Sequence, residues 1–234
     1  MKTKFIFSVV LLMIISWSCS NNVEFTEAFK KQAAGKYLYT QDETMEVYFD
    51  DDKLALKWRG ADDVKPVVTD ENTIFIADMY KKLRFVEHPE TKAFYLATVN
   101  PDNEEKVTYD YIKVADSFKT PSEYLKDKNF EMALEGYANI RAQDSNSNLV
   151  EEYRFNRLGY RYIRDGDYDN AIAVFKMNTE LFPTSSNVYD SLADAYKRSG
   201  DSAQAYFFYK KTLELDSGNE RAKAFIKNYN PQGE

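Results

Sequence analysis

The sequence predicts an α+β protein of two domains: a small antiparallel β meander, curled into a barrel or a sandwich, followed by an α-helical solenoid with a capping helix. Residues 36–114 alternate with a period of two and are rich in β-branched and aromatic residues, which is typical of strands. Residues 152–219 instead repeat one pattern at a constant interval of 34 residues, which is typical of stacked helical units.

The β half is predicted to be a series of short strands joined by tight turns. A short helix at 25–34, closed by Gly35, comes first. Clusters rich in Asp, Asn, Gly and Pro then separate eight candidate strands, with 59–63 taken as one of the turns. These strands are 36–40, 44–49, 53–58, 65–68, 73–77, 82–87, 93–99 and 106–114. Polar residues alternate with apolar ones in several strands, so we expect one face of the sheet to be wet.

The repeated pattern combines aromatic residues, small residues and a glycine between two helices. Phe155, Leu158, Gly159, Tyr162, Gly166, Ala171, Phe175 and Leu181 recur as Tyr189, Leu192, Ala193, Tyr196, Gly200, Ala205, Tyr209 and Leu215. The pattern resembles the tetratricopeptide-repeat (TPR) family, in which each repeat is a pair of antiparallel helices. The resemblance implies repeats at 152–185 and 186–219, and a groove that binds proteins or peptides.

The remainder of the helical half fits around these two repeats. Thr120, Pro121 and Glu123 predict a capped helix start, and they open an irregular repeat at 116–148. A final helix at 220–229 is predicted to cap the array, because its apolar residues lie at helical spacing; these are Ala222, Phe225, Ile226 and Tyr229. The predicted domains are therefore 24–115 for the β-domain and 116–229 for the helical domain, with a tail at 230–234.

The first residues have the composition of an export signal. Lys2 and Lys4 precede an apolar run at 5–15, which is too short to span a membrane and leads to the only cysteine, Cys19. This arrangement resembles a bacterial lipoprotein signal, which implies that residues 1–18 are removed and that Cys19 is acylated, for example with palmitate. Residues 19–23 would then tether the protein to the cell membrane or the outer membrane. The alternative is a cysteine that ends a plain signal peptide.

A second resemblance concerns residues 30–115. Gly35, Tyr37 and the apolar groups of the later strands are similar to the accessory β-domain that follows serine β-lactamase-like hydrolase domains in some bacterial envelope proteins; those groups lie at 54–58, 74–75, 83–85 and 94–95. The resemblance implies a partner that carries such a hydrolase domain. The chain itself has neither Ser-x-x-Lys nor Gly-x-Ser-x-Gly, so we predict that it is not an enzyme.

Composition excludes several other classes. The net charge of −7 is unlike that of a general nucleic-acid binder, and one Cys and one His exclude a disulfide framework and a cysteine-rich zinc site. Asp165, Asp167 and Asp169 have the spacing that opens a calcium loop, but Asn170 and Lys176 stand where that loop needs Gly and Glu. We predict a solvated turn there, and neither a metal nor a cofactor.

The candidate binding site is the groove of the repeats. Arg154, Arg157, Arg161 and Arg164 fall on one side of a helix, where guanidinium groups suit an acidic peptide, a carboxylate or a phosphate. The alternative is a solvated basic face, and Tyr160 fits either the groove or the core. The predicted groove residues are Tyr153, Asn156, Arg157, Tyr160, Arg164, Asn187, Asp190, Asp194, Lys197 and Arg198.

Three functions follow from these patterns. The first is a non-catalytic adaptor of the bacterial envelope that binds a partner protein or peptide through the groove. The second is a carrier of a small apolar or sugar ligand, if a closed barrel brings its aromatic residues together; these are Tyr37, Tyr48, Trp58, Phe75, Phe85 and Tyr95. The third is an accessory subunit with an unrecognised hydrolase activity.

Overall fold

A computed structural model describes residues 23–229, and it confirms the predicted α+β fold. The strands are β1 Gly35–Thr40, β2 Glu43–Asp50, β3 Lys53–Trp58, β4 Ala61–Val64, β5 Val67–Asp70, β6 Thr73–Ile76, β7 Lys81–Glu87, β8 Phe94–Thr98 and β9 Tyr111–Val114. The α-helices are α1 Glu27–Ala33, α2 Pro121–Lys126, α3 Phe130–Gln143, α4 Glu152–Arg164, α5 Tyr168–Leu181, α6 Ser186–Ser199, α7 Ser202–Leu215 and α8 Glu220–Asn228.

The strands form one antiparallel sheet in the order β4-β3-β2-β1-β9-β8-β7-β6-β5. The two edge strands, β4 and β5, are consecutive in the chain and are joined only by Lys65 and Pro66. Because so short a link keeps the two edges close together at one point, the sheet curls into a half-barrel. Its inner face carries the core, in which Tyr37, Leu56 and Leu83 are fully buried.

Helix α1 fills one end of the half-barrel. Thr26 caps its first turn by accepting a hydrogen bond from the Phe29 amide. Phe25 and Phe29 stack with their ring centroids 5.1 Å apart, and Phe29 meets Phe49 and Phe85 edge to face. The apolar core is therefore covered by a helix at this end.

The sheet departs from the prediction at three places. Strand β4 lies where a turn was predicted: its residues 61–63 are exposed, two of them are aspartates, and the strand is defined by its pairing with β3. The last predicted strand is reduced to Tyr111–Val114, since side chains hold the preceding segment as a loop: Asp110 accepts from the Thr98 amide at 2.6 Å. Gly35, which was predicted to close α1, instead opens β1 with φ of 133°, and Ala34 is the C-cap residue of α1.

The helical half consists of the helix pairs α2–α3, α4–α5 and α6–α7, followed by α8. The predicted capping box is present, because Thr120 accepts from the Glu123 amide and Glu123 accepts from the Thr120 amide. Gly159 faces the Phe175 ring so closely that a Cβ atom would lie 2.5 Å from it. The small residue in the first helix is thus what lets the two helices of this repeat approach.

A buried carboxylate helps to join the two domains. Asp42 lies in the turn between β1 and β2, and it accepts hydrogen bonds from the Ser122 amide at 2.6 Å and the Ser122 hydroxyl at 2.8 Å. The Tyr137 hydroxyl of α3 donates to its second oxygen at 3.2 Å. Burial raises the pKa of Asp42, and the bonds from Ser122 and Tyr137 oppose that rise.

We expect Asp42→Ala to lower the free energy of unfolding by about 2 kcal/mol, because it leaves the Ser122 and Tyr137 hydroxyls without their acceptor. The shift of the urea midpoint, followed by circular dichroism, measures this loss. Asp62→Ala is the matched control, since Asp62 is exposed and only its carbonyl oxygen accepts a hydrogen bond. Equal shifts for the two variants would contradict the role of Asp42.

Candidate binding groove of the helical domain

The repeat interval relates residues on three helices. Helices α4 and α6 are the first helices of their repeats, and α8 holds the corresponding position after α7. Steps of 34 residues relate Tyr153 of α4 to Asn187 of α6 and to Arg221 of α8. Side chains at matching positions therefore line the same side of the array.

The acidic residues predicted for the groove are buried and already paired. Asp190 and Asp194 lie one turn apart on α6, with 3% and 5% of their surface exposed. The Arg221 guanidinium lies 3.0 Å from Asp190 Oδ2 and 3.8 Å from Asp194 Oδ2, and Arg198 Nε lies 2.9 Å from Asp194. Asn219 also donates to Asp190, at 3.3 Å. These cations compensate the negative charge of α6 within the chain.

Burial governs the electrostatics of this cluster. It raises the pKa of Asp190, and the charge of Arg221 opposes the rise because it favours the ionised carboxylate. Burial likewise raises the pKa of Tyr209, whose hydroxyl has no hydrogen-bond partner among residues 23–229. Tyr160 packs edge to face on Phe175 at 5.3 Å, and its hydroxyl accepts from Arg221 at 3.5 Å. Tyr160 thus contacts both the core and the groove.

The α4 part of the candidate site is open and basic. Tyr153 is 59% exposed, and the Arg157 guanidinium lies 5.6 Å from its ring centroid. Arg157, Arg161 and Arg164 are exposed, and none of them forms a salt bridge with a carboxylate of the described chain. These three residues and Tyr153 are called the arginine face below. Arg154 differs from them, since it donates to the Leu149 carbonyl at 3.0 Å.

The repeat register explains why the arginine face is uncovered. Two steps of 34 residues relate Arg157 and Arg161 to Phe225 and Tyr229 of the last helix. There Phe225 packs on Tyr209 and Tyr229 packs on Tyr206, both on the preceding helix α7. Helix α3 precedes α4 in the chain as α7 precedes α8, but α3 packs mainly against α5. The arginines therefore occupy positions that a regular preceding repeat would cover.

The remaining predicted residues have varied surroundings. Asn187 donates to Glu152 Oε1 at 2.8 Å, and the exposed Lys197 holds its amine 5.8 Å from the Phe225 ring. Asn156 is half-buried, and its Oδ1 has no partner in the described part of the chain. The assignment of Asn156, Asn187 and Lys197 to a binding groove stays a prediction. Cys19, the predicted site of lipidation, lies outside the described residues.

Arg221 and Asn219 are two residues of this cluster that the sequence pattern did not predict. One further step of the 34-residue interval, from Asn187, leads to Arg221. The interval does not predict the salt bridge, however, because the pairing depends on the distance between Arg221 and Asp190. Asn219 also caps α8, since its side chain accepts a hydrogen bond from the Ala222 amide.

The aromatic residues proposed to line a pocket in the β-domain do not share one surface. Tyr37, Trp58 and Phe85 belong to the inner core of the half-barrel. The other three lie outside that core, on strand positions that alternate with it; these are Tyr48, Phe75 and Tyr95. The sheet also has two free edges rather than a closed ring. The six residues therefore do not enclose a single cavity.

Residues 23–229 contain neither a candidate metal site nor a candidate membrane-spanning helix. No three His, Cys, Asp or Glu side chains there are grouped so that they could hold a metal ion. Within the same range, no helix has the length and the apolar composition needed to cross a membrane.

We expect Arg221→Ala to lower the free energy of unfolding by about 2 kcal/mol near neutral pH, less than for a fully buried pair because half of the Arg221 side chain is exposed. The loss should be smaller at about pH 4, because the guanidinium stabilises only the ionised form of Asp190, whose raised pKa brings its protonation into that range.

Urea unfolding at the two pH values measures this difference. Lys223→Ala is the control on the same helix, since Lys223 pairs with the exposed Glu220 and should contribute little. A loss for Arg221→Ala that does not change with pH would contradict the pairing as its cause.

Comparison with known proteins identifies one part of the chain. A family model described as tetratricopeptide repeat matches residues 186–219. No match was found among curated protein sequences. Similar solved structures include the first TPR of Spaghetti (RPAP3) bound to an HSP90 peptide, with 17% identity over 46% of this chain and 82% of that chain, at a TM-score of 0.32.

Two others are the second TPR domain of human RPAP3 with an HSP70 peptide and a MamA mutant. The first has 19% identity over 46% of this chain and 86% of that chain at a TM-score of 0.32. The second has 21% identity over 45% and 74% at a TM-score of 0.35. Scores this low transfer neither geometry nor ligand. The family match and the helices α6 and α7 show that residues 186–219 are a tetratricopeptide repeat.

Proposed function

We propose that this chain is a non-catalytic adaptor that binds an acidic segment of a partner protein on the arginine face of α4. The presence of a tetratricopeptide repeat favours a protein or peptide as the partner. The observation that carries the proposal is the contrast between two neighbouring helices. The carboxylates of α6 are buried and paired with Arg198 and Arg221, whereas Arg157, Arg161 and Arg164 of α4 have no carboxylate partner in the described chain.

The chemistry of the arginine face suits carboxylates. A guanidinium binds a carboxylate through two parallel hydrogen bonds, and it loses less hydration than an ammonium does. Three such groups along one face favour an acidic segment over a single charged residue. Tyr153 adds a large exposed ring beside them, of the kind that contributes strongly to protein interfaces.

The pairing inside α6 also matters for this partner. Two unpaired carboxylates beside the arginine face would repel an acidic segment. Because Arg221 and Arg198 lie within 3.0 Å of Asp190 and Asp194, that repulsion is reduced. The salt bridges of the capping helix thus favour the same class of ligand as the free arginines.

The location proposed for the protein is the bacterial cell envelope. This part of the proposal rests on the lipoprotein-like signal that ends at Cys19, because several acyl chains on one residue hold a protein firmly on a membrane. The resemblance of residues 30–115 to the accessory β-domain of hydrolases is a further prediction. It favours a partner of the envelope that itself carries the hydrolase domain.

Binding is tested with the full chain and an array of short peptides rich in Glu and Asp, each beside its Gln and Asn counterpart. We expect acidic peptides to bind to the parent chain. The double variant Arg157→Glu/Arg164→Glu should lower their affinity roughly tenfold or more, because charge-assisted hydrogen bonds are lost. Lys210→Glu/Lys227→Glu makes the same change in net charge at exposed positions of α7 and α8, and it should leave binding intact. Fluorescence anisotropy measures each affinity.

If the two double variants lower the affinity equally, the effect is one of net charge alone. If acidic and neutral peptides bind equally well to the parent chain, the arginines are only a solvated face. Melting temperatures recorded beside each titration separate lost binding from lost folding.

Lipidation is tested separately. In a bacterial host supplied with an alkyne-tagged palmitate, we expect the parent chain to be labelled and recovered with the membranes, and Cys19→Ser to be unlabelled and released by aqueous buffer. Attachment at Cys19 accounts for both changes, because its thiol carries the acyl chain. Persistent membrane recovery of Cys19→Ser without label would point to an uncleaved signal segment instead.

A further inference from the structure

The end of the half-barrel opposite α1 has a different character. Four side chains of the inner face meet there, and we call them the open-end cluster: Tyr39 at the end of β1, Trp58 at the end of β3, Lys81 at the start of β7 and Tyr111 at the start of β9. At the α1 end the corresponding space is filled by phenylalanine rings. Here an amine stands among aromatic rings.

The cluster is tightly connected through Tyr39. The Tyr39 ring centroid lies 5.1 Å from that of Tyr111 and 5.5 Å from that of Trp58. Lys81 Nζ lies 5.6 Å from the Tyr39 centroid and 5.4 Å from the Tyr111 centroid, and it donates to the Tyr111 hydroxyl at 2.7 Å. All four groups therefore border one small region.

Lys81 is unusual for its position. The next inward-facing residues of β7 are Leu83 and Phe85, both buried in the core. The adjacent Lys82 faces outward and pairs with Glu104 at 3.0 Å, whereas Lys81 forms no salt bridge with any carboxylate of residues 23–229. The hydrogen bond to Tyr111 raises the pKa of Lys81, so its amine carries a full charge at neutral pH.

The hydrogen bonds in this cluster are unbalanced. An ammonium group has three donors, and Lys81 uses one of them on Tyr111. The indole N–H of Trp58 is buried and has no acceptor in the described chain. Arg59, which stacks on Trp58 at 4.7 Å, is already paired with Glu43 at 2.9 Å. The charge of Asp110 also raises the pKa of Lys81, but Asp110 forms no salt bridge with it and accepts instead from the Thr98 amide and the Thr108 hydroxyl. The region therefore has spare donors and a positive charge.

We propose that the open-end cluster binds a small organic acid, whose carboxylate pairs with Lys81. The apolar body of the acid packs on the rings of Tyr39 and Trp58, which are only partly buried and so remain accessible. A single ammonium fits a monocarboxylate, whereas a phosphate dianion offers more acceptors than its two spare donors satisfy. This site is independent of the arginine face.

Trp58 reports directly on the proposal. Trp17 is the other tryptophan of the chain, so the full chain with Trp17→Phe fluoresces from Trp58 alone. The probes are benzoate and octanoate, with benzyl alcohol and inorganic phosphate as comparisons. We expect a saturable change of Trp58 emission with the two carboxylates, and no saturable change with the alcohol or with phosphate at equal ionic strength.

Variants at neighbouring lysines locate the charge. Lys81→Met should lower the affinity for benzoate roughly tenfold or more, and Lys81→Arg should retain most of it, because only the first variant removes the charged donor. Lys82→Met is the matched control, since it removes a charge one residue away on the outer face and should bind as the parent does. Parent-like binding by Lys81→Met would overturn the proposal.

A second measurement does not depend on any variant. In the parent chain labelled with nitrogen-15, benzoate should move the indole N–H resonance of Trp58, because the ring of the acid packs beside the indole. If neither carboxylate produces a saturable change in emission or in this resonance, the cluster is a closed structural feature and the proposal is wrong.

Discussion

The arrangement of the molecule depends on Tyr137, which is held at both ends of its side chain. Its hydroxyl donates to the buried Asp42 of the β-domain, while its ring packs edge to face on Phe155 of α4 with the centroids 5.0 Å apart. One side chain on α3 therefore connects the sheet to the first regular repeat. Since Asp42 also binds Ser122 at the start of α2, the β-domain fixes both helices of the irregular repeat. Although the Tyr137 ring touches Phe155 of α4, helix α3 packs mainly against α5 and does not take the regular position beside α4.

This constraint accounts for the asymmetry of the groove. At the far end of the array, α8 occupies the regular position, so Phe225 covers Tyr209 and Arg221 reaches the acids of α6. At the near end no helix of residues 23–229 covers Arg157 and Arg161, which are both exposed. The two ends of a short repeat array usually need polar outer faces for solubility, and arginines meet that need. They do so with a charge opposite to that of the whole chain, which is −7. Solubility alone would be met equally well by acidic residues, so the sign of the charge favours recognition of an acidic partner.

How far the sequence predicts this structure depends on the range over which each feature is encoded. The helix pairs follow from local spacing, because Gly159 and Phe175 must meet in any repeat of that pattern, and the capping box of Thr120 follows from three adjacent positions. Strand β4 was missed because edge strands are held by backbone pairing and need no apolar alternation. Asp42 resembles any acidic turn residue until α3 is seen beside it. Lys81 lies one residue before the strand predicted at 82–87, so its place on the same face as Leu83 and Phe85 was not predicted.

The charges of the described chain separate into two groups by their surroundings. The buried carboxylates Asp42, Asp190 and Asp194 each have a hydrogen-bond or salt-bridge partner from a different helix or domain. Arg157 of the arginine face and Lys81 are different, because their positive charges lie beside aromatic rings and neither forms a salt bridge with a carboxylate of the described residues. An aromatic ring stabilises a cation only modestly and leaves its outward hydrogen-bond donors free. A cation held in this way is positioned by the protein yet still available to an external anion. That combination distinguishes these two surfaces from the rest of the molecule, and it requires no coupling between them.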